Sequence, residues 1–235
     1  MYGGASLIFF DLDGTLIDHK QSEYLGIKAF HEKYKQYFVC EEEAFHMLWC
    51  QVSDKHFNRY LNGEITFQQQ RIERIKEIFY TSGVVVSDEM AEEYFKFYLK
   101  MYEKNWRAFD DVEPCLLELS SYRLGIISNG DFEQQSLKLE RLGIKGYFEC
   151  IITAGDIGIA KPDIRLFEIA CNKINQVPQE CFYIGDDLKT DILPCKKIGM
   201  TGIWINRKNE QLGFDNIIVI NSLKDLKDLL HSKYI

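Results

Sequence analysis

The chain has 235 residues, 46% of them apolar and 27% charged, a globular composition that excludes a disordered tail, a collagen-like fibre or a coiled coil as its main body. With 28 Lys+Arg against 36 Asp+Glu the net charge is −8, which disfavours non-specific binding to a nucleic acid polymer or to an anionic membrane surface. No segment reaches the roughly 20 apolar residues of a membrane span, and residues 1–10 carry no basic region ahead of their short apolar run, so the expected location is cytoplasmic.

Residues 6–10 form a β-rich apolar run that stops at Asp11-Leu12-Asp13-Gly14-Thr15, the pattern of a buried strand delivering carboxylates at its carboxyl end. The pattern then changes. Stretches 23–37, 41–61, 66–80 and 87–104 carry apolar residues at three- and four-residue spacing and predict four helices. Asn62-Gly63 ends the second, Thr66 with Gln69 forms a capping box for the third, Ser82-Gly83 ends it, and Ser87 caps the fourth. More than half of the aromatic residues fall in this block, as expected of a helix-packed core. After Trp106 strands and helices alternate: β-rich runs at 123–128, 149–153, 181–185, 201–205 and 217–220, and helical patterns at 114–121, 132–142, 164–174, 188–198 and 223–231. Such alternation predicts an α/β fold with a Rossmann-like parallel sheet covered on both faces. A lone strand at 6–10 has no partner in an all-helical block, so it belongs to that sheet. The expected organisation is a catalytic core at 1–18 and 106–235 split by a four-helix cap domain at 19–105.

The seven cysteines are scattered without C-x-x-C pairs or Cys/His metal spacing, which predicts free, mostly buried thiols. Chemistry is concentrated elsewhere. In open parallel sheets ligands bind beyond the carboxyl ends of the strands. The residues there are Asp11, Asp13 and Thr15, then Ser128-Asn129-Gly130, then Lys161-Pro162 after a loop, and finally Gly185-Asp186-Asp187 through Asp191. So many carboxylates at one edge require a cation, and an all-oxygen donor set points to Mg²⁺ before zinc or copper. Mg²⁺ that keeps waters and binds substrate phosphate leads to phosphoryl chemistry. One carboxylate can attack phosphorus, a second can protonate the leaving oxygen, and Ser128, the backbone around Asn129 and Lys161 can hold the phosphoryl oxygens. Each motif alone is a turn or cap signal; the ordered set is not.

This set resembles the haloacid dehalogenase-like hydrolase superfamily, in the group with an all-helical cap inserted after the first strand. The resemblance covers the whole chain. It implies that Asp11 is the nucleophile and a Mg²⁺ ligand, and that Asp13 is the general acid/base whose backbone carbonyl also reaches the metal. Ser128 and Lys161 then bind the phosphoryl group, Asp186 is the second carboxylate on the metal, and Asp191 reaches it through water. Dehalogenases of the superfamily lack the second aspartate, so Asp13 favours a phosphate ester. The spacing from Gly185 to Asp191, the Ile205-Asn206 pair and the Gly63-Glu64-Ile65-Thr66 link are similar to the subgroup of pyrimidine 5′-nucleotidases and N-acylneuraminate-9-phosphatases.

The expected function is therefore a Mg²⁺-dependent phosphomonoesterase acting on a small phosphorylated metabolite through an aspartyl phosphate, with 5′-nucleotides as a candidate class. Two alternatives stand beside it: a phosphosugar mutase, and a non-catalytic phosphate-binding or interaction protein on the same fold. Arg71 and His19 are the candidates for substrate selection. Oligomeric state is left open.

Overall fold

A computed structural model of the chain describes residues 7–211 and 216–232. Ser6, expected to open the first strand, lies outside them. Six strands, β1 (Leu7–Phe10), β2 (Arg123–Ser128), β3 (Cys150–Thr153), β4 (Cys181–Gly185), β5 (Thr201–Ile205) and β6 (Ile218–Ile220), form one sheet in the order β3-β2-β1-β4-β5-β6. Every pairing is parallel, with Phe10 level with Ile126 on one side and Ile184 on the other. The strand order turns around at β1, so the crevice between β1 and β4 is the topological switch point where open sheets bind ligands.

The chain divides into two compact units, with the boundaries between Asp18 and His19 and between Arg107 and Ala108. The inserted unit holds α1 (His19–Tyr34), α2 (Glu42–Leu61), α3 (Phe67–Tyr80) and α4 (Asp88–Lys104). Thr66 and Ser87 cap α3 and α4 by accepting from the backbone N–H groups of Gln69 and Met90. The capping box at Thr66 is only half formed, because the Gln69 side chain donates to Glu73 instead of returning to the cap. Helix α1 starts four residues before the expected Glu23: Asp18, a residue type favoured at N-caps, precedes it, and a first turn of polar residues leaves no apolar periodicity to read. Inside the unit Phe30, Phe45, Trp49 and Phe79 are fully buried and packed ring against ring, which is where the aromatic bias of the block is used.

The other unit adds α5 (Val112–Glu118), α6 (Phe132–Arg141), the short α7 (Ala154–Ile157), α8 (Ile164–Lys173), α9 (Leu193–Lys197) and α10 (Leu226–His231) around the sheet. Alternation along each strand sends Ile8, Phe10, Ile126, Ile184 and Ile203 to one face with Val112, Leu116, Leu139 and Leu226. Leu7, Phe9, Ile127, Tyr183 and Trp204 go to the other with Leu166, Phe167, Ala170 and Cys195. A sheet buried on both faces explains the near-continuous apolar strands. All seven cysteines are free. The helix expected at 188–198 opens with a π-helical turn, Leu188–Ile192, before α9. Asp187 caps that turn, accepting from the N–H groups of Lys189 and Thr190. Among the described residues no helix is long and apolar enough to cross a membrane.

Candidate active site

Asp11 sits where β1 ends. Its backbone N–H donates to the Ile184 carbonyl at 2.8 Å, extending the β1–β4 ladder by one bond, so the carboxylate leaves a backbone already fixed in the sheet. The residue is only 6% exposed. The chain then turns sharply, with the N–H groups of Leu16 and Ile17 on the Leu12 carbonyl. Gly14 has φ +97°, and a Cβ there would lie 2.3 Å from Asp186 Oδ2, so both conformation and space demand glycine.

Lys161 enters from the loop before α8 and is 4% exposed. Its ammonium donates to Asp11 Oδ1 at 2.6 Å, Asp191 Oδ1 at 2.6 Å and the Tyr183 hydroxyl at 2.9 Å, which uses all three of its hydrogens. Asn129 splints it from behind: Asn129 Oδ1 accepts from the Lys161 backbone N–H at 2.7 Å, and Asn129 Nδ2 donates to the Lys161 carbonyl at 2.9 Å. With its side chain so committed, Asn129 has only its backbone to offer a ligand.

At the end of β4, Trp204 Nε1 holds the Asp186 carbonyl at 2.8 Å. The π-helical turn brings Asp191 back toward the strand, where its Oδ2 accepts from the Asp187 N–H at 3.2 Å. Gly185 leaves room for it, since a Cβ there would lie 2.5 Å from Asp191 Oδ2. Asp11, Asp186 and Asp191 each present an oxygen within 4.8 Å of the others.

Asp13 and Ser128 form the neighbouring half of the site. Lys138 Nζ reaches both carboxylate oxygens of Asp13, at 2.6 and 2.9 Å, and Gln135 Nε2 donates to Asp13 Oδ2 and to Ser128 Oγ, each at 2.7 Å. Asp11, Asp13, Ser128, Asn129, Lys161, Asp186 and Asp191 are thus gathered at one sheet edge. Arg71 and His19 belong to the helical unit: the Arg71 guanidinium lies 4.3 Å from the Phe67 ring centre, and His19 Nδ1 lies 2.8 Å from the Tyr102 hydroxyl. Sequence reasoning missed Gln135, Lys138, Tyr183 and Trp204. The available signal was a polar pair, Gln135 and Lys138, at the core-facing three-residue spacing that continues to Leu139 and Leu142.

The electrostatics ask for a cation. Burial drives the Asp11 carboxyl well above the usual carboxylate range against the opposing influence of Lys161, with Asp191 and Asp186 adding to the rise. Burial, then Asp191, pushes Asp186 up to about 6. For Lys161 burial would lower the ammonium, but Asp11 and Asp191 outweigh it and hold the group charged. One ammonium among three carboxylates leaves excess negative charge, and the donors are all hard oxygens. The residues therefore fit a divalent cation of the Mg²⁺ type.

A proton and a metal compete for Asp186, so metal affinity should fall by about tenfold per pH unit below about 6. Because the folded-state value lies above the ordinary carboxylate value of 3.8, the metal-free fold binds this proton more tightly than the unfolded chain does. It loses that contribution as pH rises from 3.8 to about 6. Saturating Mg²⁺ is accordingly expected to raise Tm more at pH 7.5 than at pH 5, and Asp186→Asn to raise the metal-free Tm while removing the metal response. Equal Mg²⁺ effects at both pH values would contradict this.

The sequence model of the haloacid dehalogenase-like hydrolase family matches residues 5–199. The chain is 29% identical over 238 residues to the glyceraldehyde 3-phosphate phosphatase of Methanothermobacter thermautotrophicus, covering 95% of this chain and 98% of that protein. It is 30% identical over 227 residues to the pyrimidine 5′-nucleotidase YjjG of Escherichia coli, covering 95% and 96%. Among solved structures, the HAD-hydrolase YfnB from Bacillus subtilis, bound to magnesium, superposes with a TM-score of 0.81 at 20% identity, over 97% of this chain and 99% of that one.

Proposed function

The chain belongs to the haloacid dehalogenase-like hydrolase family, and from that membership we propose that it hydrolyses a small phosphomonoester through a phosphorylated Asp11. The observation that carries this reading is the buried Lys161 ammonium spanning Asp11 and Asp191 beside Asp186, at the switch point of the sheet. Phosphatase and nucleotidase relatives that align over nearly the whole chain support it.

In this reading Asp11 attacks phosphorus. The new Asp11 O–P bond forms as the P–O bond to the leaving group breaks, and Asp13 gives its proton to the departing oxygen. Asp13, now a carboxylate, takes a proton from water as that water attacks the aspartyl phosphate, which releases inorganic phosphate and restores Asp11. Ser128 holds an equatorial oxygen as charge shifts, and Lys161 joins it by exchanging one of its three present acceptors for a phosphoryl oxygen. Asp11, Asp186 and Asp191 would hold Mg²⁺, which would supply positive charge to the phosphoryl oxygens. Asp13 favours an ester whose leaving oxygen needs a proton. Substrate selection is assigned to the helical insertion, with Arg71 and His19 as the side chains to test.

Purified protein with Mg²⁺ is expected to release phosphate from at least one member of a panel of nucleoside 5′-monophosphates, triose phosphates, sugar phosphates and phosphorylated acids. The absence of release from every ester, an activated aryl phosphate included, would overturn the reading. Isomerised sugar phosphate with a bisphosphate intermediate and little free phosphate would replace it with the mutase.

A further inference from the structure

Two polar residues on α6 do more than line the site. Gln135 and Lys138 lie three residues apart, on one face of the helix, and are 1% and 2% exposed. A lysine so buried is rare unless paired. Its ammonium contacts both oxygens of Asp13, whose side chain is itself 26% exposed.

The Gln135 amide is the more informative group. Both Asp13 oxygens already accept from the Lys138 ammonium, so the Gln135 amide meets Oδ2 with its Nε2 and not with its own oxygen. Both N–H bonds are then used, one on Asp13 Oδ2 and one on Ser128 Oγ. Ser128 Oγ also accepts from the Gly130 N–H at 3.3 Å. With both lone pairs occupied, the hydroxyl can only donate, and a phosphoryl oxygen is an acceptor. Gln135 Oε1 is buried with no hydrogen-bond partner among the described residues, a cost that apolar packing alone would not incur. Gly130 makes way for the amide, because a Cβ there would lie 2.5 Å from Gln135 Cδ.

We propose that Gln135 and Lys138 are positioning residues that hold Asp13 and Ser128 as one unit: Lys138 places the Asp13 carboxyl for proton transfer to the leaving oxygen, and Gln135 commits the Ser128 hydroxyl to donate to the phosphoryl group. The inference rests on the phosphomonoesterase reading. It separates the two residues by what each serves. An ester with a very good leaving group departs without a proton, so it is indifferent to Asp13 placement but still needs the phosphoryl contacts.

The test uses the full chain with Mg²⁺ and compares leaving-group release from an alkyl phosphate and from 2,4-dinitrophenyl phosphate by rapid mixing. Lys138→Met is expected to lose about 100-fold on the alkyl ester, at least about 20-fold more than on the aryl ester. Gln135→Met is expected to lose about 30-fold on both. Equal losses of Lys138→Met on the two esters, or none, overturn the assignment for Lys138. Unchanged rates for Gln135→Met overturn the assignment for Gln135, and this variant decides the matter should Lys138→Met fail to fold. Wild-type protein inactive on every ester would instead remove the phosphomonoesterase reading, and the present inference with it.

Discussion

Asparagine at position 11 is expected to abolish turnover, by about four orders of magnitude or more, while leaving the protein folded. The change keeps the size of the side chain and removes the carboxylate proposed as the nucleophile. Two of the neighbouring carboxylates are committed to other donors: Asp191 is held on Lys161, Tyr183 and the Asp187 N–H, and Asp13 on Lys138 and Gln135. Stability should move the other way. Burial holds the Asp11 carboxyl well above its ordinary range, so the ionised group is a burden to the metal-free fold that an amide does not impose. Rapid-quench measurement of phosphate release and a melting curve without metal check both parts. Retention of wild-type turnover would remove Asp11 from the mechanism.

Replacing Lys161 by methionine is expected to cost about 3–5 kcal/mol of stability in the metal-free protein, the usual consequence of removing one partner from a buried ion pair. Here the remaining carboxylates, Asp11 and Asp191, face each other with Asp186 close by and no ammonium between them. Mg²⁺ should recover much of the loss, because a divalent cation neutralises the same oxygens. Turnover should not recover with it. The ammonium proposed to hold a phosphoryl oxygen is gone, and a deficit of about 10²–10³-fold is expected at saturating metal. Denaturant unfolding with and without Mg²⁺, followed by kinetics at high metal, separates the two effects. A variant as stable as wild type without metal would show that Lys161 is not the counter-charge of this cluster.

Much of the fold is legible in the residues because it rests on local and periodic signals. The switch from helical spacing before Trp106 to strand–helix alternation after it marks where the helical insertion ends, and every expected strand of the sheet is present. The exceptions have local causes. The first turn of α1 is polar and carries no periodicity, and the turn at Leu188–Ile192 is widened to π geometry where Asp191 folds back onto the Asp187 N–H. Nothing in the residues 188–198 announces that widening, since the same side chains would also suit an ordinary α-helix.

By itself the sequence determined which chemistry the sheet edge presents: acids after β1 and β4, a hydroxyl after β2, a lysine in the loop before α8, and glycines beside three of the four. Tertiary structure alone decided how these groups are paired. Gln135 and Lys138 read as ordinary polar positions on a helix, and Tyr183 as one more bulky residue in a buried strand. Their partners lie far along the chain: Gln135 and Lys138 stand 122 and 125 residues from Asp13, and Lys161 stands 150 from Asp11. The physical reason is direct. Periodicity and caps are properties of neighbours in sequence. The polarity of a hydroxyl or the charge state of a buried carboxyl depends on which donors the folded sheet brings within 3 Å of it.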